Sequence, residues 1–198
     1  MKDILDIVSS VSERMDELER KREGAIAASR SVIRMTKRAI HAIHTGEGHE
    51  SIINNAVTEY RSLLLVIQNE PEILFSGPVS DAMMELSEAC ILSSIVLGRE
   101  VPSYTSLEVT PQAWAMGLGD CLGELRRILL AHLMGNRIEQ AREVFNDMES
   151  LCGHVLSFDV PDAILPIRRK QDIARSVMER TRTDIANAMI MNNAGLKN

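Results

Sequence analysis

The sequence contains few aromatic residues. Aromatic side chains make up 3% of the 198 residues, whereas 45% of the residues are hydrophobic, including eleven Met. Because strands are enriched in aromatic and β-branched residues, this composition favours a helical bundle over a β-sandwich. The length suffices for one substantial core. No linker-like tract divides the chain, and we therefore expect a single domain over residues 1–198.

Cysteine is also scarce, and the three cysteines, Cys90, Cys121 and Cys152, form no C-x-x-C pair. Each lies within a helical pattern, which indicates small core residues in a reducing cytoplasm rather than disulfides or zinc ligands. The first residues lack the apolar region of a signal peptide, and no run of about 18 apolar residues occurs. These absences predict a cytoplasmic protein with no membrane partner. Neither a glycine-rich phosphate loop nor a G-x-S-x-G motif is present.

The net charge of −6 argues against nucleic-acid binding by the whole surface, but the basic residues are unevenly distributed. One basic stripe on the first predicted helix has the spacing i, i+4, i+7, i+11. Its members are Arg30, Arg34, Lys37 and His41. A second basic cluster is Arg168–Lys170. Either set can bind a phosphate backbone or form the solvated face of an amphipathic helix.

Helical periodicity dominates the chain and predicts an all-α, elongated bundle of about six to seven antiparallel helices. Helix starts are predicted at Ser80 as an N-cap, at Thr110 with Pro111 in the first position, and between 162 and 167 with Pro166 in the first turn. Six segments carry the pattern, at about 4–44, 49–69, 80–97, 111–134, 137–156 and from the 162–167 region to 192.

Acidic residues interrupt the apolar surface of two predicted helices. Asp120, Glu124 and Arg127 are spaced i, i+4, i+7, which places them on one face. Glu85 and Glu88 share a face of the preceding helix. If the two helices pack side by side, four carboxylates converge, and such a group is costly unless a cation compensates it. An all-oxygen cluster suits Mg²⁺ or Mn²⁺.

Three glycines lie in the same helix as Asp120. Gly117, Gly119 and Gly123 each disfavour helix by roughly 1 kcal/mol relative to Ala, which indicates that another helix or a substrate approaches this backbone. A plainer interpretation also stands. Acid pairs at these spacings are commonly solvated helix faces, and Arg127 can form a structural salt bridge with Glu124.

The motifs around these residues resemble the translin superfamily, and specifically translin-associated factor X (Trax). The Trax signature V-T-P, Gly, D-x-x-G-E-L-x-R is similar to Val109–Pro111, Gly117 and Asp120–Arg127. The first-helix pattern S-R, K-R-x-I and a later His resembles Ser29–His44, and E-x-x-E-A resembles Glu85–Ala89. The chain looks like a compact, archaeal-type member of the family.

This resemblance implies a Mg²⁺-dependent endoribonuclease, for which Mn²⁺ is an alternative ion. It implies catalytic and metal-binding roles for Glu85, Glu88, Asp120 and Glu124. RNA, single-stranded or duplex, is the implied substrate inside a homo-oligomeric shell of eight subunits, and single-stranded DNA is a further candidate ligand. The candidate RNA-binding residues are Arg30, Arg34, Lys37, Arg38 and Arg127.

Two other classes compete with the nuclease. One is a non-catalytic scaffold that binds single-stranded nucleic acid, as translin does, although the four retained acids argue against it. The other is a di-iron carboxylate bundle, which uses Glu-x-x-His pairs. No Glu in this sequence is followed by His three residues later, which argues against the di-iron class.

Overall fold

A computed structural model describes the backbone of residues 2–195 and the side chains of residues 3–192. Within that range the chain forms seven helices and no strand, as the all-α prediction requires. The helices are α1 (Lys2–Thr45), α2 (Glu50–Ile67), α3 (Pro71–Leu74), α4 (Gly77–Val96), α5 (Pro111–Met134), α6 (Ile138–Leu156) and α7 (Arg168–Gly195). None of the described helices is long and apolar enough to cross a membrane.

Two apolar cores meet at α4 and α5. One core joins α1, α2, α3 and α4 with the start of α5, and the other joins α4, α5, α6 and α7 with the end of α1. Helix α4 buries residues on most of its circumference, as expected of a helix packed between neighbours. All three cysteines are buried in these cores, as predicted. The central position of α4 and α5 matters because these helices carry the four acids.

Helix α1 is amphipathic along its whole length but covered along only part of it. Its apolar residues recur at alternating spacings of three and four residues, the pattern of a helix with one packed seam. The seam is buried at Ala25, Ser29, Val32, Thr36, Ala39 and Ile43. Nearer the N-terminus, Ile4, Val8, Val11 and Met15 are all more than half exposed. The first four turns therefore carry an apolar face that this chain does not cover.

The first residues of the observed helices can be compared with the predicted helix starts. Thr110 caps α5 as predicted, since its hydroxyl accepts a hydrogen bond from the Ala113 N–H at 3.2 Å. The prediction for Ser80 is wrong: α4 begins at Gly77, because Pro78 is accommodated in a first helical turn. The first-turn placement of Pro166 is also wrong, since α7 begins at Arg168. The short helix α3, which begins at Pro71, was not predicted.

Candidate carboxylate site between α4, α5 and a basic helix

A close crossing of α4 and α5 brings the two acid pairs together. A Cβ atom at Gly117 would lie 2.7 Å from the Met84 carbonyl oxygen and 2.8 Å from the Glu88 backbone nitrogen. Only glycine permits this approach, as the sequence predicted for Gly117. One turn further along α5, the Cys121 thiol donates to the Glu88 carbonyl oxygen at 3.4 Å. The backbone of Glu88 is therefore fixed against α5 at the level of Asp120.

Glu88 is the electrostatic centre of the site. Burial, followed by the charges of Asp120, Glu85 and Glu124, raises its pKa to about 8. The Lys170 ammonium acts in the opposite direction but does not cancel these effects. No residue within 3–192 forms an ion pair with Glu88. A carboxyl group whose nearest charges are three other acids is a group that a cation or a proton stabilises.

Glu85 shares this environment to a smaller degree. Burial raises its pKa, and the Asp120 and Asp81 charges add to that effect. The Lys37 ammonium, 3.7 Å from the Glu85 carboxylate, opposes it. The charges of Glu85, Asp120 and Glu124 thus act on Glu88, and the binding of one ion by all four carboxylates stays a prediction.

Each of the other two acids is engaged by a cation or a potential cation. Lys170 of α7 donates to Asp120, and His44 of α1 is hydrogen-bonded to Glu124. Arg127 lies 3.6 Å from Glu124, the ion pair that the plainer interpretation predicted. Arg127 and Lys37 are both more than 60% exposed, so their charges are also available to a ligand.

An open pocket of about 390 Å³ lies over the acids. Its lining residues are Lys37, Ile40, His41, Glu85, Glu88, Glu124 and Arg127. Asp120 is not in the lining and faces Lys170 instead. The pocket is therefore lined both by carboxylates of α4 and α5 and by the positively charged side chains of Lys37 and Arg127.

The donor chemistry of the site fits a hard divalent cation, because carboxylate oxygens are the ligands that Mg²⁺ and Mn²⁺ prefer. In the described part of the chain, however, no three His, Cys, Asp or Glu side chains are placed to hold one ion. The reason is visible in the contacts of α5: Asp120 is turned to Lys170 and Glu124 to His44. A common metal site requires at least one of these two carboxylates to reorient.

The basic stripe of α1 leads to this pocket. Lys37 and His41 line it, while Arg30 and Arg34 continue the same exposed face toward the N-terminus. Arg30 is seven residues from Lys37, or about 10 Å along the helix axis. Arg38 is exposed on α1 but is not part of the lining. The structure thus places Lys37 and Arg127 at the acids, and Arg30, Arg34 and Arg38 outside the pocket.

Two residues at the site were not assigned to it from the sequence. His44 continues the Lys37–His41 spacing by three residues, so its contact with Glu124 follows the same stripe. Lys170 belongs to a predicted basic cluster, yet its contact with Asp120 depends on how α7 crosses α5. The sequence feature that indicates this contact is Gly119, because a Cβ atom there would lie 3.2 Å from the Lys170 side chain. Nothing in the described chain lies within 4 Å of a Cβ atom at Gly123, so no helix approaches there, and the approach of a substrate stays a prediction.

Comparison with known proteins identifies relatives of the whole chain. An uncharacterised protein of Methanocaldococcus jannaschii is 30% identical over 167 residues, which cover 83% of this chain and 74% of the relative. The crystal structure of AfC3PO matches with a TM-score of 0.85 and 30% identity, covering 93% of this chain and 97% of AfC3PO. No known family profile matches the chain.

Two further solved structures share the fold. A complex of AfC3PO with duplex RNA matches with a TM-score of 0.77 at 28% identity, covering 93% of this chain and 97% of that one. Apo-NeC3PO matches with a TM-score of 0.83 over 91% of this chain and 96% of its own length, and its 20% identity supports the fold alone. The chain therefore belongs to the translin/C3PO family, as a Trax-like member of the archaeal type.

Proposed function

We propose that this protein is a metal-dependent endoribonuclease of the Trax type that binds RNA inside a homo-oligomeric shell. The observation that carries the proposal is Glu88, a half-buried carboxyl group with three acidic neighbours and a pKa of about 8 beneath an open pocket. Perturbed carboxyl groups in clefts are typical of sites that bind cations or transfer protons. Structural ion pairs do not explain Glu88, because it has no such partner within residues 3–192.

Glu85, Glu88, Asp120 and Glu124 would hold the metal, with Mg²⁺ as the expected ion and Mn²⁺ as its substitute. Such an ion supplies Lewis acidity for phosphodiester hydrolysis. The chain's own residues supply the remainder of the site. Lys37 and Arg127, exposed at the pocket rim, are placed to neutralise phosphates on either side of the acids.

RNA binding is supported by the basic face of α1 and by the relative AfC3PO, which has been solved with duplex RNA. Arg30, Arg34 and Arg38 extend the positive charge beyond the pocket, so a strand seated on the acids would pass over them. Contacts of this kind read the phosphate backbone and little of the base sequence. We expect weak sequence preference for RNA, whether single-stranded or duplex, and for single-stranded DNA.

Assembly into a homo-oligomer is supported by the uncovered apolar face of α1. Ile4, Val8, Val11 and Met15 repeat at seam spacing but face solvent in the single chain. Near the end of α7, Ile190 and Met191 are 66% and 74% exposed. Apolar faces of this extent are commonly covered by another subunit. An octameric shell would place acidic surfaces outside and the basic stripes inside, which reconciles RNA binding with the net charge of −6.

The second candidate function is a non-catalytic nucleic-acid-binding scaffold. The observation that favours it is the pairing of Asp120 with Lys170 and of Glu124 with His44, which leaves no three acids arranged around one point in the described chain. In that case the acids would be structural, and RNA would bind without being cut.

Cleavage of end-labelled RNA by the purified protein separates the two functions. We expect cleavage with Mg²⁺ or Mn²⁺ and none in excess EDTA. Glu124→Gln keeps the side-chain volume and should lower the cleavage rate by more than about 100-fold. Removing a metal ligand should reduce activity at least as much as removing a group that orients one. Glu139→Gln is the matched control, because Glu139 is 78% exposed on α6. Undiminished cleavage in EDTA, or by Glu124→Gln, would overturn the metal-site assignment, and no cleavage with either ion would overturn the nuclease proposal in favour of the scaffold.

A further inference from the structure

The Lys170 side chain is held beside the acids by a hydrogen bond and by packing against α5. Its ammonium group donates to Asp120, and the Lys170 and Asp120 side chains are 20% and 28% exposed. The aliphatic stem lies over Gly119, where a Cβ atom would come 3.2 Å from the Lys170 Cβ and 3.5 Å from its Cγ. The absent side chain at Gly119 therefore gives the stem its path across α5. Gln171, the next residue, donates to the carbonyl oxygens of Val155 and Phe158 and fixes this turn of α7.

The other cations at the site are held less closely. Lys37 and Arg127 lie 3.7 Å and 3.6 Å from their acids and are 65% and 63% exposed. Lys170 is thus the most enclosed permanent cation among those paired with the four acids. An ammonium group in this position lowers the cost of keeping several carboxylates together. It also repels any second cation that approaches the same oxygens.

We infer that Lys170 is the resident counterion of the acid cluster and competes with a divalent metal ion for Asp120. The inference rests on the proposed function, because it takes the four acids as the metal site. Lys170 acts through Asp120 and is therefore a positioning residue rather than a catalytic one. Its displacement would release Asp120 to join the other acids. Together with the Glu124–His44 pair, the Lys170–Asp120 pair accounts for the absence of three gathered ligands in the described chain.

Calorimetric titration of the full-length protein with Mn²⁺, in the absence of RNA, tests this competition. Lys170→Met removes the charge and keeps the stem that packs on Gly119. We expect its dissociation constant for Mn²⁺ to fall roughly fivefold, the worth of a partly exposed ion pair. Lys170→Arg keeps the charge and should bind Mn²⁺ as the wild type does. Arg175→Met removes an equal charge from an exposed, Asp172-paired position on α7 and should also leave binding unchanged.

The outcomes separate the inference from the function on which it rests. Unchanged or weaker Mn²⁺ binding by both Lys170→Met and Lys170→Gln, with normal binding by the wild type, would overturn the counterion role and leave the metal site intact. Failure of every variant to bind Mn²⁺ would overturn both proposals. Lys170→Gln is titrated in parallel, and thermal unfolding verifies each fold, so that a fall in the dissociation constant of either neutral variant supports the inference.

Discussion

Two glutamates in this molecule show how differently the same side chain behaves in two enclosed settings. The Glu70 side chain, just before α3, is 4% exposed and lies between Arg14 and Lys21 of α1, with Lys21 at 2.6 Å. Hydrogen bonds from Arg14 and Lys21 lower its pKa. Glu88 on α4 has acids as its neighbours, and burial together with those acids raises its pKa to about 8.

The comparison shows that charged partners decide whether the pKa of an enclosed acid is raised or lowered, because the hydrogen bonds to Glu70 outweigh its burial, whereas the acids around Glu88 add to the effect of burial. Glu70 is supplied with two cations and ties the N-terminal half of α1 to the α2–α3 connection. Glu88 forms no ion pair with any of residues 3–192, and its ionisation lowers the stability of the fold. A protein keeps such a group where function requires it, at a cost in stability. Glu70 therefore holds α1 against the α2–α3 connection, and Glu88 lies at the centre of the candidate site.

Among the substitutions that change the surroundings of one glutamate and not the other, Gly117→Ala is expected to have the largest effect. The added methyl group would lie under 3 Å from the backbone of α4, so α4 and α5 must separate and admit water to Glu88, while Glu70 is untouched. We expect a loss of about 2–3 kcal/mol, the usual cost of overpacking, measured by urea denaturation. Gly123→Ala is the matched control, because a Cβ atom there has no neighbour within 4 Å and the change should stabilise the helix by up to about 1 kcal/mol. Equal effects of the two substitutions would show that the α4–α5 crossing is not tight.

Glu70→Gln tests the other glutamate of the comparison, which is paired with two cations. A neutral amide cannot pair with Arg14 and Lys21, so the melting temperature at pH 7 should fall. Because the pKa of Glu70 is lowered from 4.5, its stabilisation is present above that value and is lost as the pH falls through the folded-state pKa. The difference between wild type and variant should therefore shrink below about pH 4. Glu72→Gln, at an exposed position of α3, serves as the control, and a melting difference that persists unchanged in acid would contradict the assignment.

A smaller effect is expected from the basic stripe of α1, which leads to the acids. Arg30→Ala combined with Lys37→Ala should weaken RNA binding across sequences and reduce the log–log salt slope by about 0.7–0.9 for each lost phosphate contact. Filter binding over a range of salt concentrations measures that slope. Arg20→Ala with Arg22→Ala removes the same charge from exposed positions of α1 outside the stripe. If both double variants give the wild-type slope, the stripe is a solvated face.

Features that depend on one helix were predictable from the sequence. The helical periodicity identified α1 as a long helix, and the Thr110–Pro111 pair identified the start of α5, because periodicity and caps are set by neighbouring residues. The acids were likewise placed on common faces of α4 and α5. Periodicity did not reveal that the first turns of the α1 seam are uncovered, since a pattern identifies a face and not what packs on it.

Contacts between distant segments were not predictable in the same way. His44 and Glu124 are 80 residues apart, and Lys170 and Asp120 are 50 residues apart. Such pairs depend on where helices cross, which no single-helix spacing encodes. The glycines of α5 were an ambiguous signal for the same reason. Gly117 marks a helix crossing and Gly119 a lysine stem, while Gly123 is open beside the acids.

The central claim, that Glu88 is held in a cluster of like charges awaiting a cation, is tested most directly by the pH dependence of unfolding. The free energy of unfolding of wild type and Glu88→Gln would be measured from pH 5 to pH 9, in EDTA and in Mg²⁺. Since the folded-state pKa is about 8 and the ordinary value is 4.5, the wild type should lose stability as the pH rises between them. We expect a loss of about 2–4 kcal/mol relative to Glu88→Gln in EDTA, and its recovery in Mg²⁺. Parallel curves for the two proteins at every pH, unaffected by Mg²⁺, would contradict the claim.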